Sequence, residues 1–305
     1  MNRIKKFLVI GPVLLDLTIK LKNRKDFNRK MLTVSIGGKG YNVAHTLSLF
    51  GAPVSLATIY GFDDIGNYLI RQIKKQGIKL LTTSKLAARS GVCMSFIGKK
   101  GDIILDKVDT EIFKEEKVPK IDWGKVDIII VISTTSAKTL TYLKRMKKRF
   151  PNKIFCLEIA GRKTIANVLP YLKTFDFFIS NLKEAIHFGF GLKTKPSIKN
   201  VVESLLKNGP KIVLVTAGSK GIYYGHRDIK NQFIIKHIKA KKIKNIVSTL
   251  GAGDSVTASF CAAYYGRSLS LEKSVEIANE VAAITVTKEK PFPSFLPKYI
   301  LNFFK

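Results

Sequence analysis

Residues 248–255 read STLGAGDS, so two glycines and an alanine lead into a carboxylate at the start of an apolar run. Val256 and Phe260 then recur at helical spacing, and Gly266 stands where such a helix would end. Small residues at the amino end of a helix leave backbone N–H groups and the positive end of the helix dipole open to an anion. Asp254 is unusual there, because its carboxylate competes with any bound phosphate. This stretch alone fits either a capped, buried helix or an anion-binding turn.

Along the chain, apolar strand-like runs alternate with amphipathic helix-like segments. This order is typical of an α/β fold in which a mostly parallel sheet is covered by helices on both faces. The predicted strands are 6–11, 54–60, 126–132, 153–159, 175–180 and 211–216, and the predicted helices are 42–50, 63–76, 137–149, 163–173, 197–208, 253–265 and 271–286.

Two segments break the alternation. Residues 13–36 carry two extended apolar pieces, and residues 91–106 read as a hairpin around a turn that contains Gly-Asp. Together they predict a small sheet, separate from the main one, that is either a lid over an active site or a decoration of the sheet edge.

The predicted hairpin carries two alternating sets of side chains. Val92, Met94 and Phe96 fall on one face of the strand, and Cys93 and Ser95 fall on the other. A shift of one residue in register exchanges the two faces. The sequence therefore leaves open which set would face a bound ligand.

The composition fits a packed globular protein, since 46% of the 305 residues are hydrophobic. Cys93, Cys156 and Cys261 lie far apart, which argues against a disulfide framework or a zinc site and favours a cytoplasmic location. No apolar run approaches the ~18 residues that a membrane span needs. Pro12 and Asp16 interrupt the apolar run near the N-terminus, so this run predicts a buried strand rather than a signal peptide.

The formal net charge of +31 would attract phosphates, nucleic acids or anionic membrane surfaces. Most of the excess is lysine and is spread along the whole chain. The densest runs, RMKKRF (145–150) and KAKKIK (239–244), do not interleave aromatic residues as a platform for single strands would. The charge favours a lysine-rich solvated surface, with nucleic-acid binding as the open alternative.

The segment IGGKGYNVAHTLSLFGA (36–52) places three glycines and a lysine before a helix. It is not a Walker A loop, because Gly40 follows the lysine where that motif needs Ser or Thr, and it lacks the third glycine of a dinucleotide fingerprint. It predicts a tight turn that brings backbone close to a ligand, with Lys39 and Asn42 as hydrogen-bond donors.

Shorter motifs follow predicted strands along the chain. In order, they are VIGPVLLD (9–16), IYGFDDIG (59–66), NLKEA (181–185) and VTAGSKG (215–221). Together with GGKGYNVA and TLGAGDSVTASF, they resemble the ribokinase-like (PfkB) family of carbohydrate kinases, from Val9 to about Ser294. The resemblance implies a single domain over residues 1–305, built as a three-layer α/β/α sandwich with a mostly parallel sheet and a small β lid from about 13–36 and 91–106.

The resemblance also gives the opening stretch a role. It implies an ATP-dependent phosphotransferase in which Gly251, Ala252 and Gly253 form an anion hole for the transferred phosphoryl group. Asp254 would take the proton from the acceptor hydroxyl. This agrees with the physics of phosphoryl transfer, which depends mainly on positioning and on fixed donors that stabilise developing charge.

Other site residues are implied in the same way. Mg²⁺ would accompany ATP, since this hard ion prefers oxygen ligands and keeps much of its water. The implied substrate-binding residues are Asp16, Gly38, Lys39 and Asn42; the nucleotide-binding residues are Asn181, Thr216 and Gly218; and Asn181 with Glu184 would hold Mg²⁺ through water.

The chain departs from the family pattern at two positions. Ser248 stands where the family usually has an aspartate linked to monovalent-cation binding, which argues against activation by potassium. Leu14 stands where ribokinase has an asparagine two residues before its sugar-binding aspartate, which argues against a strict ribose specificity.

Several acceptors fit the resemblance. The segments around the hairpin and before Asn181 are similar to those of pseudouridine kinases, and that acceptor is favoured over ribose or another free sugar. A sugar-phosphate acceptor would need Arg89 or Arg162 to meet its phosphate. The different-class alternative is a non-catalytic binding protein whose basic surface attracts nucleic acid. A homodimer through the lid is a further expectation.

Overall fold

The structure, a computed structural model, describes residues 3–20, 32–82, 89–98, 100–108, 121–132, 137–159, 168–187 and 196–304. The strands are β1 (Phe7–Ile10), β2 (Leu14–Lys20), β3 (Leu32–Gly37), β4 (Val54–Thr58), β5 (Lys79–Thr82), β6 (Val92–Ile97), β7 (Ile103–Val108), β8 (Ile128–Ile132), β9 (Ile154–Glu158), β10 (Phe177–Asn181), β11 (Ile212–Thr216), β12 (Ile222–Arg227) and β13 (Phe233–Ile238). The helices are α1 (Lys39–Leu49), α2 (Asp64–Lys75), α3 (Ala137–Arg149), α4 (Leu182–His187), α5 (Ile198–Lys207), α6 (Ala252–Cys261), α7 (Leu271–Thr285) and α8 (Lys298–Leu301).

The main sheet has the strand order β13-β12-β11-β10-β9-β8-β1-β4-β5. All neighbours pair in parallel except at one edge, where β12 is antiparallel to both β11 and β13. Its strands are apolar almost throughout, because helices cover both faces. The expected α/β sandwich with a mostly parallel sheet is confirmed.

Two cores separate the three layers. Along β1, Phe7 and Val9 face one core and Leu8 and Ile10 face the other, as the alternation of a strand requires. Helices α1, α2, α6 and α7 pack in the first core, and α3 and α5 pack in the second.

The predicted elements of the main layers agree with the structure apart from their ends. The first part of the predicted helix 163–173 lies outside the described residues, and its last part is a 3₁₀ helix at Leu169–Thr174. Strands β5, β12 and β13 were not predicted from the sequence. β12 (IYYGHR) and β13 (FIIKHI) lie at the sheet edge, and polar residues interrupt or follow their short apolar stretches, so they lack the continuous apolar run that identifies a central strand.

The small sheet has the order β3-β2-β6-β7, and its strands come from the two segments that break the alternation. Asp16 pairs with Ser35 on one side and with Cys93 on the other, so these three side chains share a face. Leu17 pairs with Val34 and Met94, which therefore lie on the opposite face.

Two further expectations concern location. No helix among the described parts of the chain is both long and apolar enough to cross a membrane. Cys93, Cys156 and Cys261 are free thiols. The cytoplasmic location stays a prediction.

Candidate active site

Polar residues gather at the carboxyl edge of the main sheet. Glu158 ends β9, Asn181 ends β10 and Thr216 ends β11, while Gly11 directly follows β1. Parallel strands present their carboxyl ends along one edge, which is where open α/β sheets bind ligands. The candidate site therefore lies along this edge, between the main sheet and the small one.

The first glycine turn precedes α1 and fits tightly against β1. Gly38 has φ +87°, which a side chain rarely permits. A Cβ on Gly40 would lie 2.5 Å from the carbonyl carbon of Gly11, so only glycine allows this approach. The close contact brings the start of α1, with Lys39 and Asn42, to the end of β1.

The second glycine turn precedes α6. Gly251 is the N-cap residue with φ +73°, and a Cβ there would lie 1.7 Å from the carbonyl oxygen of Pro291. A Cβ on Gly253 would meet nothing within 4 Å, so the space beside this residue is open. Helical geometry leaves the first N–H groups of α6 without intrahelical acceptors. The turn thus offers backbone donors next to an open space.

The two turns meet at Asp254. The Nζ atom of Lys39 lies 2.7 Å from Asp254 Oδ1 and 2.7 Å from Glu158 Oε1. Asn42 Nδ2 donates to Asp254 Oδ2 at 2.7 Å. Both carboxylate side chains are only 4% exposed. The ammonium and the amide hold the Asp254 carboxylate in place.

Asp16 stands beside this cluster on the small sheet. A Cβ on Gly37 would lie 1.8 Å from Asp16 Oδ2, so the carboxylate lies directly over the first glycine turn. Burial, and then the charge of Asp254, raise the pKa of Asp16 to about 7, although a hydrogen bond from the backbone of Gly38 acts in the opposite direction.

Glu158 belongs to the same cluster and was not predicted from the sequence. Burial raises its pKa to about 8; Lys39 lowers it and Asp254 raises it further. Burial lowers the pKa of Lys39, but the charges of Asp254 and Glu158 outweigh it and raise the pKa above its ordinary value. The signal in the sequence is the glutamate that ends the apolar strand IFCLE. Burying a carboxylate costs free energy unless a partner compensates its charge.

Two buried acceptor atoms in the cluster have no partner within the described part of the chain. These are Glu158 Oε2 and Asn42 Oδ1. Buried polar atoms are normally hydrogen-bonded, and exceptions call for a missing partner. Hydroxyl groups of a bound substrate would donate hydrogen bonds to both atoms.

The residues predicted to bind nucleotide form a second group along the edge. Asn181 and Thr216 are register partners on β10 and β11, and Gly218 begins a 3₁₀ turn with φ +57° shortly after β11. The rings of Phe260 on α6 and Phe177 on β10 stack at 4.6 Å. Phe260 lies near the end of α6 and Phe177 lies at the start of β10, so the helix runs antiparallel to the strand. The start of α6, with Asp254, therefore lies toward the Asn181 end of β10.

Asn181 and Glu184 contact each other directly. Asn181 Oδ1 accepts from the Glu184 N–H at 2.9 Å, and Glu184 Oε2 accepts from the Asn181 N–H at 3.1 Å. This reciprocal pair resembles a capping box at the start of α4. It also presents one amide and one carboxylate, a donor set that fits a hydrated Mg²⁺ ion. No larger cluster of metal-ligating side chains occurs in the described ranges.

The remaining predicted positions are less informative. Ser248 is buried, and its Oγ accepts from the backbone N–H of Leu250 at 3.2 Å, so it has a local structural partner. Arg89 is exposed. Arg162 lies outside the described residues.

Comparison with known proteins decides the family. Residues 5–298 match the model of the pfkB family carbohydrate kinases. The chain belongs to this family. It is therefore a kinase of the sugar and nucleoside kinase class that uses ATP, and the expected enzyme class is confirmed.

Two curated relatives cover nearly the whole chain. A deoxyribokinase of Salmonella typhi is 26% identical over 92% of this chain and 92% of its own length. A guanosine-inosine kinase of Exiguobacterium acetylicum is 28% identical over 90% of each. Among solved structures, the ribokinase of Cryptococcus neoformans var. grubii in complex with ADP is 18% identical, covers 99% of both chains and has a TM-score of 0.78, which shows the shared fold.

Proposed function

We propose that this site transfers the γ-phosphoryl group of ATP to a hydroxyl group of a nucleoside or sugar, with Asp254 as the general base. The observation that carries the proposal is the convergence of Lys39 and Asn42 on the buried Asp254 carboxylate. The acceptor oxygen forms a bond to the γ-phosphorus as the bond to the ADP oxygen breaks, and the hydroxyl proton passes to Asp254. Gly251, Ala252 and Gly253 stabilise the charge on the transferred group through backbone N–H donors.

The acceptor is held from both sheets. Asp16 and Glu158 supply carboxylate oxygens, and the Gly38 turn, Lys39 and Asn42 supply the opposing contacts. Support comes from the unpaired Glu158 Oε2 and Asn42 Oδ1, which point to a ligand rich in hydroxyl groups.

The nucleotide lies along the second group on the same edge. Asn181, Thr216 and Gly218 line its groove, and Asn181 with Glu184 would hold a hydrated Mg²⁺ ion. When bound, this ion supplies positive charge to the phosphate oxygens. Because Ser248 replaces an acid and already has a backbone partner, we expect turnover without a monovalent cation.

Within the acceptor class, we favour a nucleoside, with pseudouridine first. Leu14 and Ile59 are buried together and Cys93 packs against them, forming an apolar cluster beside Asp16 on the same face of the small sheet. A nucleobase has a flat, carbon-rich face that such a wall can cover, and a free pentose does not. Met94 and Phe96 lie on the other face, so they do not provide this cover.

A free sugar such as ribose is the second candidate. The observation that favours it is the dense polar cluster at Asp254, which would bind the hydroxyl groups of a pentose that carries no nucleobase. A sugar phosphate has less support, because Arg89 is exposed rather than directed into the cluster.

The small sheet would act as a lid and as a dimer contact. Its face opposite Asp16 carries exposed apolar side chains, including Val34 at 52% and Leu105 at 46%. Exposed apolar faces of this kind are usually covered by a partner. A second copy of this chain would cover the lid of the first.

The test is ATP turnover by the purified protein with pseudouridine, other nucleosides, ribose and 2-deoxyribose, each at a range of concentrations. We expect acceptor-dependent ADP release, with the highest kcat/KM for pseudouridine. Activity confined to free sugars would contradict the nucleoside assignment. No turnover with any acceptor, together with salt-sensitive nucleic-acid binding, would contradict the kinase proposal and favour the non-catalytic alternative.

A further inference from the structure

A second cavity lies at the amino edge of the main sheet, opposite the candidate active site. Its volume is about 640 Å³, within the ~300–1,000 Å³ typical of small-molecule sites. It is bounded by the residue range before β1, the turn between α3 and β9, and the turn that follows α6. None of the residues implied in catalysis or nucleotide binding lines it.

The cavity is positively charged. Lys5, Arg149 and Lys153 line it, and Asp127 is the only acid among the described residues of the lining. Asp127 is already bound, since Arg3 Nη2 lies 3.2 Å from its Oδ1 and the Lys6 N–H donates to its Oδ2 at 2.9 Å. Lys5 and Arg149 have no ion pair within the described residues. Their charges are available to an anionic ligand.

The cavity also contains aromatic rings. Phe150, Tyr264 and Tyr265 line it next to the basic side chains. The two tyrosines lie in a π-helical turn, Ala262–Gly266, that continues α6. Such turns are rare and often occur at functional sites, because the inserted residue redirects side chains. Ser268, at the rim, adopts φ +55°, which is uncommon for a residue with a side chain.

We propose that this cavity binds a small ligand that combines a planar ring with a phosphate group, a nucleoside monophosphate. Phe150 and the two tyrosines offer aromatic surface to a planar ring, and Lys5 with Arg149 supply the charge that a phosphate needs. The size of the cavity suits one nucleotide. The proposal does not depend on the acceptor used at Asp254, because the two sites share no lining residue.

The chain contains a built-in reporter for this cavity. Its single tryptophan, Trp123, stacks on Phe150 with ring centroids 5.9 Å apart. A ligand against Phe150 therefore changes the environment of Trp123. A nucleotide in the active-site groove lies at the opposite edge of the sheet and leaves that ring pair unchanged.

The experiment titrates the intact protein with AMP while following Trp123 emission, with adenosine and inorganic phosphate as partial ligands. We expect a saturable change with AMP and at least about tenfold weaker responses to adenosine or phosphate alone, since each lacks half of the contacts. Arg149→Gln and Lys5→Gln should each weaken AMP about tenfold by removing a charged hydrogen-bond donor. Lys148→Gln, an exposed neighbour on α3 that does not line the cavity, is the matched control and should stay within about twofold.

Equilibrium dialysis with labelled AMP distinguishes this cavity from the nucleotide groove. The wild-type protein should bind AMP at a class of sites that is absent from Arg149→Gln and present in Lys148→Gln. An emission change that is insensitive to both Arg149→Gln and Lys5→Gln would overturn the proposal. Equal responses to AMP and to inorganic phosphate would also overturn it, because they would mean that the rings take no part.

Discussion

The two glycine turns that begin α1 and α6 bring different groups to the same carboxylate. The turn at Gly38 leads into side-chain donors, the ammonium of Lys39 and the amide of Asn42. The turn at Gly251 leads into backbone N–H groups and Asp254 itself. Helices α1 and α6 pack against each other, so the two kinds of donor converge. We infer that the first turn positions the base and the acceptor, and that the second stabilises the transferred group.

The largest expected effect separates two glycines of the second turn. Gly251→Ala should lower the free energy of unfolding by about 3 kcal/mol, because Ala is strained at φ +73° and its Cβ would meet the Pro291 carbonyl. Gly253→Ala should change it by less than about 1 kcal/mol, since its Cβ enters open space in a helical turn.

Urea unfolding and turnover measured together check this pair. Gly253→Ala should fold normally and still lose turnover, because the added methyl group occupies the space proposed for the phosphoryl group. Equal stability of the two variants would show that the Gly251 backbone is not constrained as described. Full turnover in Gly253→Ala would place the phosphoryl group elsewhere.

The first turn should respond through the acceptor rather than through the fold. In Gly37→Ala the new Cβ would displace the Asp16 carboxylate, so KM for the acceptor should rise about tenfold or more, the cost of a lost charged hydrogen bond. KM for ATP should stay near the wild-type value. Gly37 lies outside the positive-φ region, so its backbone does not strain an alanine there. An unchanged KM for the acceptor in Gly37→Ala would argue against displacement of Asp16.

A pH profile should expose Asp16 directly. With a pKa of about 7, this carboxyl is mostly protonated below pH 7 and ionised above it. Only the ionised form accepts two hydroxyl hydrogen bonds, so kcat/KM for the acceptor should rise with pH, about tenfold per unit below the pKa, and then level off. Asp16→Asn should remove this rise, and a rise unchanged in that variant would assign it to another group.

The same pKa shift has a consequence for stability. Since the pKa of Asp16 is raised above its ordinary 3.8, the folded state binds the proton more tightly than the unfolded state. The tighter proton binding at Asp16 therefore adds to the free energy of unfolding below pH 4, and this contribution is lost as pH rises toward 7. Denaturant unfolding at pH 5 and pH 8 should show a smaller decline in Asp16→Asn than in the wild type.

The smallest expected effect concerns the metal. Glu184→Ala should raise the Mg²⁺ concentration for half-maximal activity a few-fold, because one oxygen anchor of the hydrated ion is lost. Glu203→Ala, which removes an exposed acid on α5 paired only with Lys207, is the matched control and should leave the Mg²⁺ dependence unchanged. An unchanged Mg²⁺ dependence in Glu184→Ala would contradict the proposed metal role.

The sequence predicted the parts of this molecule that depend on local patterns. The central strands, such as β8, are short apolar runs between helices, and the glycine turns are visible because only glycine adopts positive φ without strain. The small sheet was predicted as a unit, but not the face that Asp16 shares with Cys93, because register depends on pairing between strands that are distant in the chain.

Long-range packing decided what the sequence did not reveal. Glu158 joins the site only because β9 ends beside α1, and no local spacing links it to Lys39 or Asp254. The edge strands β12 and β13 were missed because each has only a short apolar stretch next to histidine, lysine or arginine, which resembles a surface segment. The amino-edge cavity likewise arises from segments that are distant in the chain.

The most direct test of the central claim compares turnover with ATP affinity in Asp254→Asn. Asparagine keeps the shape and the contacts to Lys39 and Asn42 in part, but it cannot take the acceptor proton. We expect kcat to fall by about two to four orders of magnitude while the Kd for ATP stays near the wild-type value. A variant that keeps more than about a tenth of wild-type turnover, with chemistry limiting in both proteins, would contradict the role of Asp254 as the base.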